Sequence, residues 1–111
     1  DIFMGIGGGP EGVLAAAALS CFNCQMQTKL IFQNNNEKIR AKKMGIKDLD
    51  RKYNINDIIK GDVIFCATGI TDGKLVKGIE NLGTKFRSET YVTHKSSKLF
   101  TTLSEDINKW I

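Results

Sequence analysis

A glycine-rich turn close to the start of the sequence contains the residue types best suited to chemistry. Gly7, Gly8 and Gly9 let backbone amides approach a ligand closely and adopt positive φ at little cost, and Pro10 suits the first position of a helix. The free amides and the positive dipole of that helix attract an anion, typically a phosphate. The Glu11 carboxylate can hold a divalent cation there, and a cation beside a phosphate indicates phosphoryl chemistry.

Two alternatives compete with a phosphate site at this turn. A dinucleotide-binding fingerprint fits poorly, because the third glycine is missing and residues 33–36 (QNNN) contain no acid for a ribose. Glu11 would also repel a pyrophosphate, although not a phosphate neutralised by a metal. The other alternative is plain turn geometry, with Glu11 as a first-turn acid that the helix dipole stabilises by about 0.3–1 kcal/mol.

A functional role for Glu11 requires metal ligands that the sequence does not supply. Metal-assisted phosphate hydrolysis usually needs several carboxylates that converge on two or more ions, and the other acids lie in polar helices, turns and tails. Asp72 is most simply a turn residue. A ligand role for Asp72 or Thr68 stays open, because residues 67–73 (ATGITDG) are small and rich in glycine.

The cysteines and the single histidine suggest no further site. Cys21 and Cys24 have the spacing of half a zinc site or a redox pair, but nothing completes it, since Cys66 is isolated. His94 lies in a strand-like segment rich in Ser, Thr and Lys, and no partner acid is evident for it. We therefore predict no catalytic triad with Ser or Cys.

The segments that position the glycine turn alternate between strand and helix patterns. We predict a buried strand over residues 1–6, an Ala-rich helix over 10–22 and a strand over 26–33. A second helix would start with Asn35 or Asn36 as its cap and run to Lys43, closed by Gly45. This order indicates a right-handed βαβ crossover in the first half of the chain.

The second half is predicted to be mostly strand. Residues 47–60 are polar, with a short helix at 55–59, and the apolar run 62–67 predicts a strand covered on both faces. Asp72-Gly73 predicts a hairpin with a returning strand at 74–79. Further strands are expected at 84–93 and 98–103, joined by the turn 95–97, and then a short helix capped by Ser104. The predicted fold is α/β, a mixed β-sheet flanked by helices.

Composition narrows the class of protein. The chain has 111 residues, 41% hydrophobic and 25% charged, as expected for one small globular domain. The net charge of +4 indicates either attraction for anions or a solvated surface. The aromatic residues show no nucleic-acid-binding pattern, so we expect no nucleic acid as a partner.

The longest apolar run, 13–19, is too short to cross a membrane, and no signal peptide is visible. Cysteine usage suggests a reducing compartment, and a start at Asp1 within a strand suggests a fragment or processed chain.

Two segments carry a resemblance to a known family. Residues 4–19 (MGIGGGPEGVLAAAAL), followed by 25–27 (QMQ), closely resemble the C-terminal half of class II fructose-1,6-bisphosphatases. Residues 61–75 (GDVIFCATGITDGKL) resemble the second hallmark of that family, at about the right separation. The resemblance covers most of the chain and weakens after Gly78.

The resemblance implies a metal-dependent sugar phosphatase, related in fold to the lithium-sensitive inositol phosphatases. Its members hydrolyse the 1-phosphate of fructose 1,6-bisphosphate with Mg²⁺ or Mn²⁺, and some in photosynthetic lineages also accept sedoheptulose 1,7-bisphosphate. By position, Glu11 matches the metal-ligating glutamate and Gly8 a glycine that contacts substrate; Gly7 and Gly9 are further candidates for substrate binding. Gly9 replaces the more usual alanine, and Cys24 stands where glycine is common.

The resemblance also implies that much of the active site lies elsewhere. The family's Asp-Pro-x-x-Gly-Thr motif cannot occur here, because the only proline is Pro10 and Gly9 precedes it. We therefore expect residues 1–111 to be one domain, the C-terminal fragment of a larger phosphatase whose N-terminal catalytic part is absent, and inactive alone.

We expect the complete protein to be a homo-oligomer. It would act in gluconeogenesis or in the Calvin cycle, and it would be located in the cytoplasm or in a plastid. The alternatives are a non-catalytic, Rossmann-like nucleotide-binding domain and a structural or oligomerisation domain. The apolar strand at 63–67 partly supports the last of these.

Overall fold

A computed structural model describes residues 1–110 of the chain as three helices and six short or medium strands. None of these helices combines the length and the apolar character needed to cross a membrane. The elements, in chain order, are α1 (Gly9–Cys21), β1 (Gln27–Lys29), α2 (Asn35–Lys43), β2 (Lys52–Asn54), α3 (Ile55–Ile58), β3 (Ile64–Thr68), β4 (Glu80–Asn81), β5 (Lys85–His94) and β6 (Phe100–Asn108).

The strands form two sheets. β1 and β2 make a small antiparallel pair. In the second sheet β5 is central: β6 pairs with it from Lys85↔Asn108 to Thr93↔Phe100. β3 pairs with one end of β5 and β4 with the other, so these two short strands share its second edge.

The predicted α/β class is confirmed, because helices and sheets are both present. Within residues 1–110, however, every strand pair is antiparallel. The right-handed βαβ crossover predicted for the first half is therefore wrong. Residues 1–6 form no strand, and their apolar side chains have nothing to pack against: Ile2, Phe3, Met4 and Ile6 are 88–95% exposed.

Helix α1 is the element that organises the small core. Its alanines allow a close approach to α3 and β3, and Ala16 is fully buried. At its C-terminus the left-handed residue is Asn23 (φ 54°), and the Cys24 amide donates to the Leu19 carbonyl at 3.2 Å, which is a Schellman ending. The helix prediction of 10–22 is therefore confirmed to within one residue at each end.

Aromatic rings join the end of α1 to the larger sheet. Phe22 stacks on Tyr91 of β5 with ring centroids 6.4 Å apart, and Phe100 of β6 contacts both rings. Tyr91 is only 6% exposed and Thr93, on the same face of β5, is 2% exposed. This face of the sheet is therefore the one that α1 covers.

Helix α2 ends at Lys43 as predicted, but its cap is Asn34 and not Asn35 or Asn36, so the helix starts earlier than expected. The Asn34 side chain accepts from the Glu37 amide at 2.9 Å, and the Glu37 carboxylate accepts from the Gln33 amide at 2.7 Å. Gly45, with a φ of +97°, follows the helix as expected for a left-handed residue. The strand predicted over 26–33 shortens to Gln27–Lys29.

Residues 69–79 form a closed loop in place of the predicted hairpin strand. The Gly73 amide donates to the Val76 carbonyl and the Ile79 amide to the Ile70 carbonyl, both at 3.1 Å. No strand forms at 74–79, because β3 pairs with β5 instead of with the following segment.

The prediction of a final helix from Ser104 is wrong. β6 continues through Ser104, Glu105 and Asp106 to Asn108, so the predicted strand 98–103 is only the first part of it. The Arg87 guanidinium of β5 binds the Asp106 carboxylate with two hydrogen bonds of 2.7 and 3.1 Å. This cross-strand pair holds Asp106 in the strand.

The strands predicted at 62–67 and 84–93 are confirmed with small shifts, but the expected cover on both faces of the first is not present. Ile64, Cys66 and Thr68 of β3 are exposed, and Ile64 remains 62% exposed. They alternate with Phe65 and Ala67, which pair in register with Thr93 and Tyr91. The sheet is therefore covered on the α1 side only, within the residues described.

Substituting Gly78 by alanine should destabilise the chain, since a Cβ there would lie 2.6 Å from the Thr71 carbonyl carbon and 2.8 Å from the Asp72 amide nitrogen. We expect a loss of about 1–3 kcal/mol in the free energy of unfolding, as for overpacked sites. The matched control is Gly12→Ala in α1, where a Cβ meets nothing within 4 Å; it should gain about 0.5–1 kcal/mol. Urea unfolding followed by circular dichroism measures both, and equal stabilities would contradict the packing of this loop.

Candidate functional site

The glycine turn leads into α1 as the sequence suggested, with Gly8 as the N-cap residue. The Gly8 carbonyl accepts the first helical hydrogen bond, from the Gly12 amide at 3.0 Å. Gly8 has an extended backbone (φ −69°, ψ 164°), and none of the turn glycines is among those with positive φ. The turn therefore uses no backbone conformation that favours glycine, and the absence of a side chain at Gly8 matters for the space that it leaves to Glu11.

The space above Gly8 is occupied by the Glu11 side chain. A Cβ built on Gly8 would collide with Oε2 of Glu11 and lie 3.2 Å from its carboxyl carbon. On Gly7 the nearest atom would be Glu11 Cβ at 3.9 Å, and on Gly9 there would be nothing within 4 Å. The carboxylate thus folds back over the helix N-terminus, in a cradle formed where Gly8 has no side chain.

The Glu11 carboxylate is exposed and takes part in none of the ion pairs found among residues 1–110. An oxygen ligand in an open cradle suits Mg²⁺ or Mn²⁺, which prefer carboxylates. The described residues contain no group of three or more His, Cys, Asp or Glu side chains that could hold a metal ion. The described residues could therefore contribute one ligand, the Glu11 carboxylate, to a divalent cation.

Thr68 and Asp72 make local hydrogen bonds. The Thr68 hydroxyl lies 2.8 Å from that of Thr90 on the neighbouring strand, and Asp72 Oδ1 accepts from the Gly78 amide at 2.8 Å. Among the hydrogen bonds of residues 1–110, none joins either side chain to Glu11. Asp72 therefore has the turn role that the sequence favoured, and a ligand role for either residue stays a prediction.

A second polar cluster, around His94, was missed by the sequence analysis. His94 Nε2 lies 2.7 Å from Asp62 Oδ2, and His94 Nδ1 lies 2.7 Å from Ser97 Oγ. The prediction that His94 has no partner acid is wrong. The register of β3 on β5 pairs Ile64 with His94, which brings Asp62 close to His94 although the two are 32 positions apart in the sequence. Only a correct pairing of these two predicted strands would have revealed the contact.

Asp62 is the centre of this cluster. Besides His94, it accepts hydrogen bonds from the Ser96 hydroxyl at 2.7 Å, the Ser96 amide at 3.0 Å and the Val63 amide at 3.0 Å. The hydrogen bond from the Ser96 hydroxyl, followed by those from His94 and the two amides, lowers the pKa of Asp62 from 3.8 to about 2, against a desolvation that raises it. The side chain remains 48% exposed, so solvent weakens each of these interactions.

Comparison with known proteins decides the family. The model of the family described as bacterial fructose-1,6-bisphosphatase, glpX-encoded, matches residues 1–106. The chain belongs to this family. The resemblance predicted from the glycine turn and from residues 61–75 is thereby confirmed.

Curated relatives of this chain come from several bacteria. The D-fructose 1,6-bisphosphatase class 2/sedoheptulose 1,7-bisphosphatase of Synechococcus sp. (strain JA-3-3Ab) is 36% identical over 108 residues, which cover 86% of this chain and 31% of the relative. The fructose-1,6-bisphosphatase 2 class 2 of Escherichia coli (strain K12) is 36% identical over 104 residues, covering 81% and 32%. The fructose-1,6-bisphosphatase class 2 of Haemophilus influenzae is 37% identical over 112 residues, covering 88% and 33%. The chain thus spans about a third of the length of these relatives.

The hydrogen bonds of Asp62 should make the free energy of unfolding depend on pH in the acidic range. Because the folded-state pKa of Asp62 lies below 3.8, the contribution of its ionised form is complete above that pH and is lost as the pH falls towards about 2. Asp62→Asn, which cannot titrate, should be less stable than the wild type at neutral pH and lose less stability on acidification. Urea unfolding of both proteins across this range checks the prediction. Asp57 and Asp106 also have lowered pKa values, but they titrate in both proteins, so their contributions cancel in the difference between the two free energies of unfolding. If the stability of the two proteins fell in parallel on acidification, the prediction would be contradicted.

Proposed function

We propose that this chain supplies one metal ligand and a phosphate-binding turn to the active site of a fructose-1,6-bisphosphatase. The observation that carries the proposal is the pairing of Gly8 and Glu11 at the N-terminus of α1, where the carboxylate lies over a position that has no side chain. Membership of the family supports the substrate, the 1-phosphate of fructose 1,6-bisphosphate. The name of the Synechococcus relative supports sedoheptulose 1,7-bisphosphate as a second substrate.

The helix N-terminus would bind the phosphate. The first amides of α1 have no partner within the helix, and with the positive end of the dipole they favour an anion. Residues Gly7 to Gly9 present no side chain that would keep a phosphoryl oxygen away from these amides. Glu11 would be one ligand of Mg²⁺ or Mn²⁺, which when bound would polarise the phosphoryl group and lower the pKa of a water molecule. Without that cation the carboxylate would repel the phosphate, so the two must bind together.

The same proposal assigns the remaining ligands to a part of the protein outside these residues. Glu11 offers one carboxylate, whereas phosphate hydrolysis assisted by metals uses several. The large exposed apolar side chains at residues 2–6 and on the outer face of β3 support a chain that functions against further polypeptide. We therefore infer that residues 1–111 form the C-terminal fragment of an inositol-phosphatase-like fold, inactive alone and homo-oligomeric in the complete protein.

In the longer protein that contains this chain, Glu11→Gln should reduce Mn²⁺-dependent phosphate release from fructose 1,6-bisphosphate. The amide keeps the size of the side chain but loses the charge that holds a cation. We expect a loss of at least about 100-fold, because even outer-shell partners of metal ligands cost 10–100-fold. Phosphate release and Mn²⁺ titration measure it.

The control for Glu11→Gln is Glu37→Gln, which removes an acid from the same third position of α2, where Glu37 accepts from the Gln33 amide. It should leave activity unchanged, since it affects only the local helix cap. Residues 1–111 alone should release no phosphate. An active Glu11→Gln protein would contradict the metal role of Glu11, and an active isolated chain would contradict the proposal that the other metal ligands lie outside these residues.

Gly8→Ala should also lower activity, through the position of the Glu11 carboxylate. The new methyl group would occupy the space now filled by Oε2, which displaces the ligand by about the size of a carbon atom, and misplacement by 1 Å can cost about 100-fold in rate. Gly9→Ala is the matched control, because nothing lies within 4 Å of its Cβ position. Steady-state kinetics on both variants, with Mn²⁺ varied, separates lost metal affinity from lost turnover. Equal effects of the two substitutions would exclude the cradle as the cause.

A further inference from the structure

The Asp62, His94 and Ser97 side chains form a chain of hydrogen bonds that the proposed phosphatase site does not use. The two bonds, carboxylate to imidazole and imidazole to hydroxyl, are both 2.7 Å long. Unrelated hydrolases activate a serine by the same spatial order of groups, in which a carboxylate is hydrogen-bonded to an imidazole and the imidazole to the serine hydroxyl. The order of these residues along the chain differs among those enzymes. Here the carboxylate meets Nε2 and the hydroxyl meets Nδ1.

The surroundings of Asp62 determine which nitrogen of His94 carries the proton. Asp62 accepts hydrogen bonds from two backbone amides and from the Ser96 hydroxyl, all of which favour its ionised form. An ionised carboxylate accepts from Nε2–H of the neutral ring, so the lone pair lies on Nδ1. Nδ1 can then take the proton of the Ser97 hydroxyl, which is the role of a general base.

The turn between β5 and β6 holds Ser97 where a reagent can reach it. Ser97 is exposed. The turn is closed by the His94 amide, which donates to the Leu99 carbonyl at 2.9 Å, and it is fixed to β3 by the Lys95 amide, which donates to the Val63 carbonyl at 2.9 Å. Lys98 takes the left-handed conformation (φ 55°) that completes it. The hydroxyl is thus accessible and oriented at the same time.

A hollow of about 570 Å³ adjoins the cluster. Asp62 and Ser96 line it, together with the side chains of Lys60 and Lys95, and the Lys95 ammonium lies 3.4 Å from the Gly61 carbonyl across one wall. The hollow thus has two lysines and one carboxylate, and that carboxylate is already hydrogen-bonded to His94 and Ser96. This excess of positive charge favours a ligand with a negatively charged group.

We propose that Ser97 is a nucleophilic serine, activated by His94 and Asp62, that accepts acyl groups from carboxylic esters bearing a second, negatively charged group. Ser97 Oγ would form a bond to the ester carbonyl carbon while its proton passes to His94 Nδ1. The bond from that carbon to the leaving oxygen would break, and the leaving oxygen would take the proton from His94. No redox change or metal is required, so the reaction is independent of the phosphatase site.

The test uses the chain itself in EDTA, with a nitrophenyl half-ester of succinic acid as the charged reagent and nitrophenyl acetate as the neutral one. We expect one acyl group per chain, located at Ser97 by peptide mass spectrometry, with the charged ester reacting faster. Ser97→Ala and His94→Gln should abolish this labelling, whereas Ser104→Ala, an exposed serine on β6, should not. Labelling that persists in Ser97→Ala, or equal rates with both esters, would overturn the proposal.

A second measurement separates activation by His94 from folding. In Ser97→Cys, the new thiol should react with iodoacetamide about tenfold faster or more than in the double variant Ser97→Cys, His94→Gln, because a positioned base contributes at least that much. The exposed Cys24 provides an internal reference in the same peptide digest. Equal rates at position 97, with Cys24 unchanged, would show that His94 serves only to fix the turn. Because no metal or sugar phosphate is present, failure here leaves the phosphatase proposal unaffected.

Discussion

The hydrogen-bond ladder along β5 holds the second half of the chain together. This strand pairs with β6 over almost its whole length and with β3 and β4 at its two ends. Its inner face carries Tyr91 and Thr93, which are among the few buried side chains. The contacts of α1 with the sheet, the closure of loop 69–79 and the approach of Asp62 to His94 all depend on this register. A shift by one residue would turn Tyr91 to the uncovered face and separate the cluster.

The core of the chain is small for its length, and the chain is more extended than a compact domain of the same size. Among residues 1–110, the buried apolar side chains are those of Ala16, Ala17, Ala41, Ile55 and Tyr91, and the Cα radius of gyration is 18.2 Å. A compact domain of this length would have a radius of about 13 Å. Local hydrogen bonds, such as those of the Asn34 and Asp57 caps, fix the starts of α2 and α3 beside this small core.

Local sequence signals predicted the helices well, while contacts between distant residues escaped them. α1 follows from Pro10, Glu11 and the alanines that come after them, and α2 follows from its polar cap and Gly45. Residues 1–6 have the composition of a buried strand but find no strand to pair with in the described residues. Ser104 to Asp106 have the composition of a helix start, but the β5 ladder and Arg87 hold them in a strand. The cradle of Glu11 over Gly8 and the pairing of Asp62 with His94 depend on geometry that spacing alone does not encode.

The loop 69–79 is closed by its own hydrogen bonds and is held to β5 at Glu89, whose carbonyl accepts from the Gly69 amide and whose carboxylate accepts from the Lys77 amide, both at 3.1 Å. Its tip, at Lys74 and Leu75, is exposed. Compact loops whose ends lie close together accept insertions at such tips. This tip is accordingly the natural place to graft a fluorophore or an affinity peptide, giving a reporter on the chain that leaves the strands on either side of the loop in register.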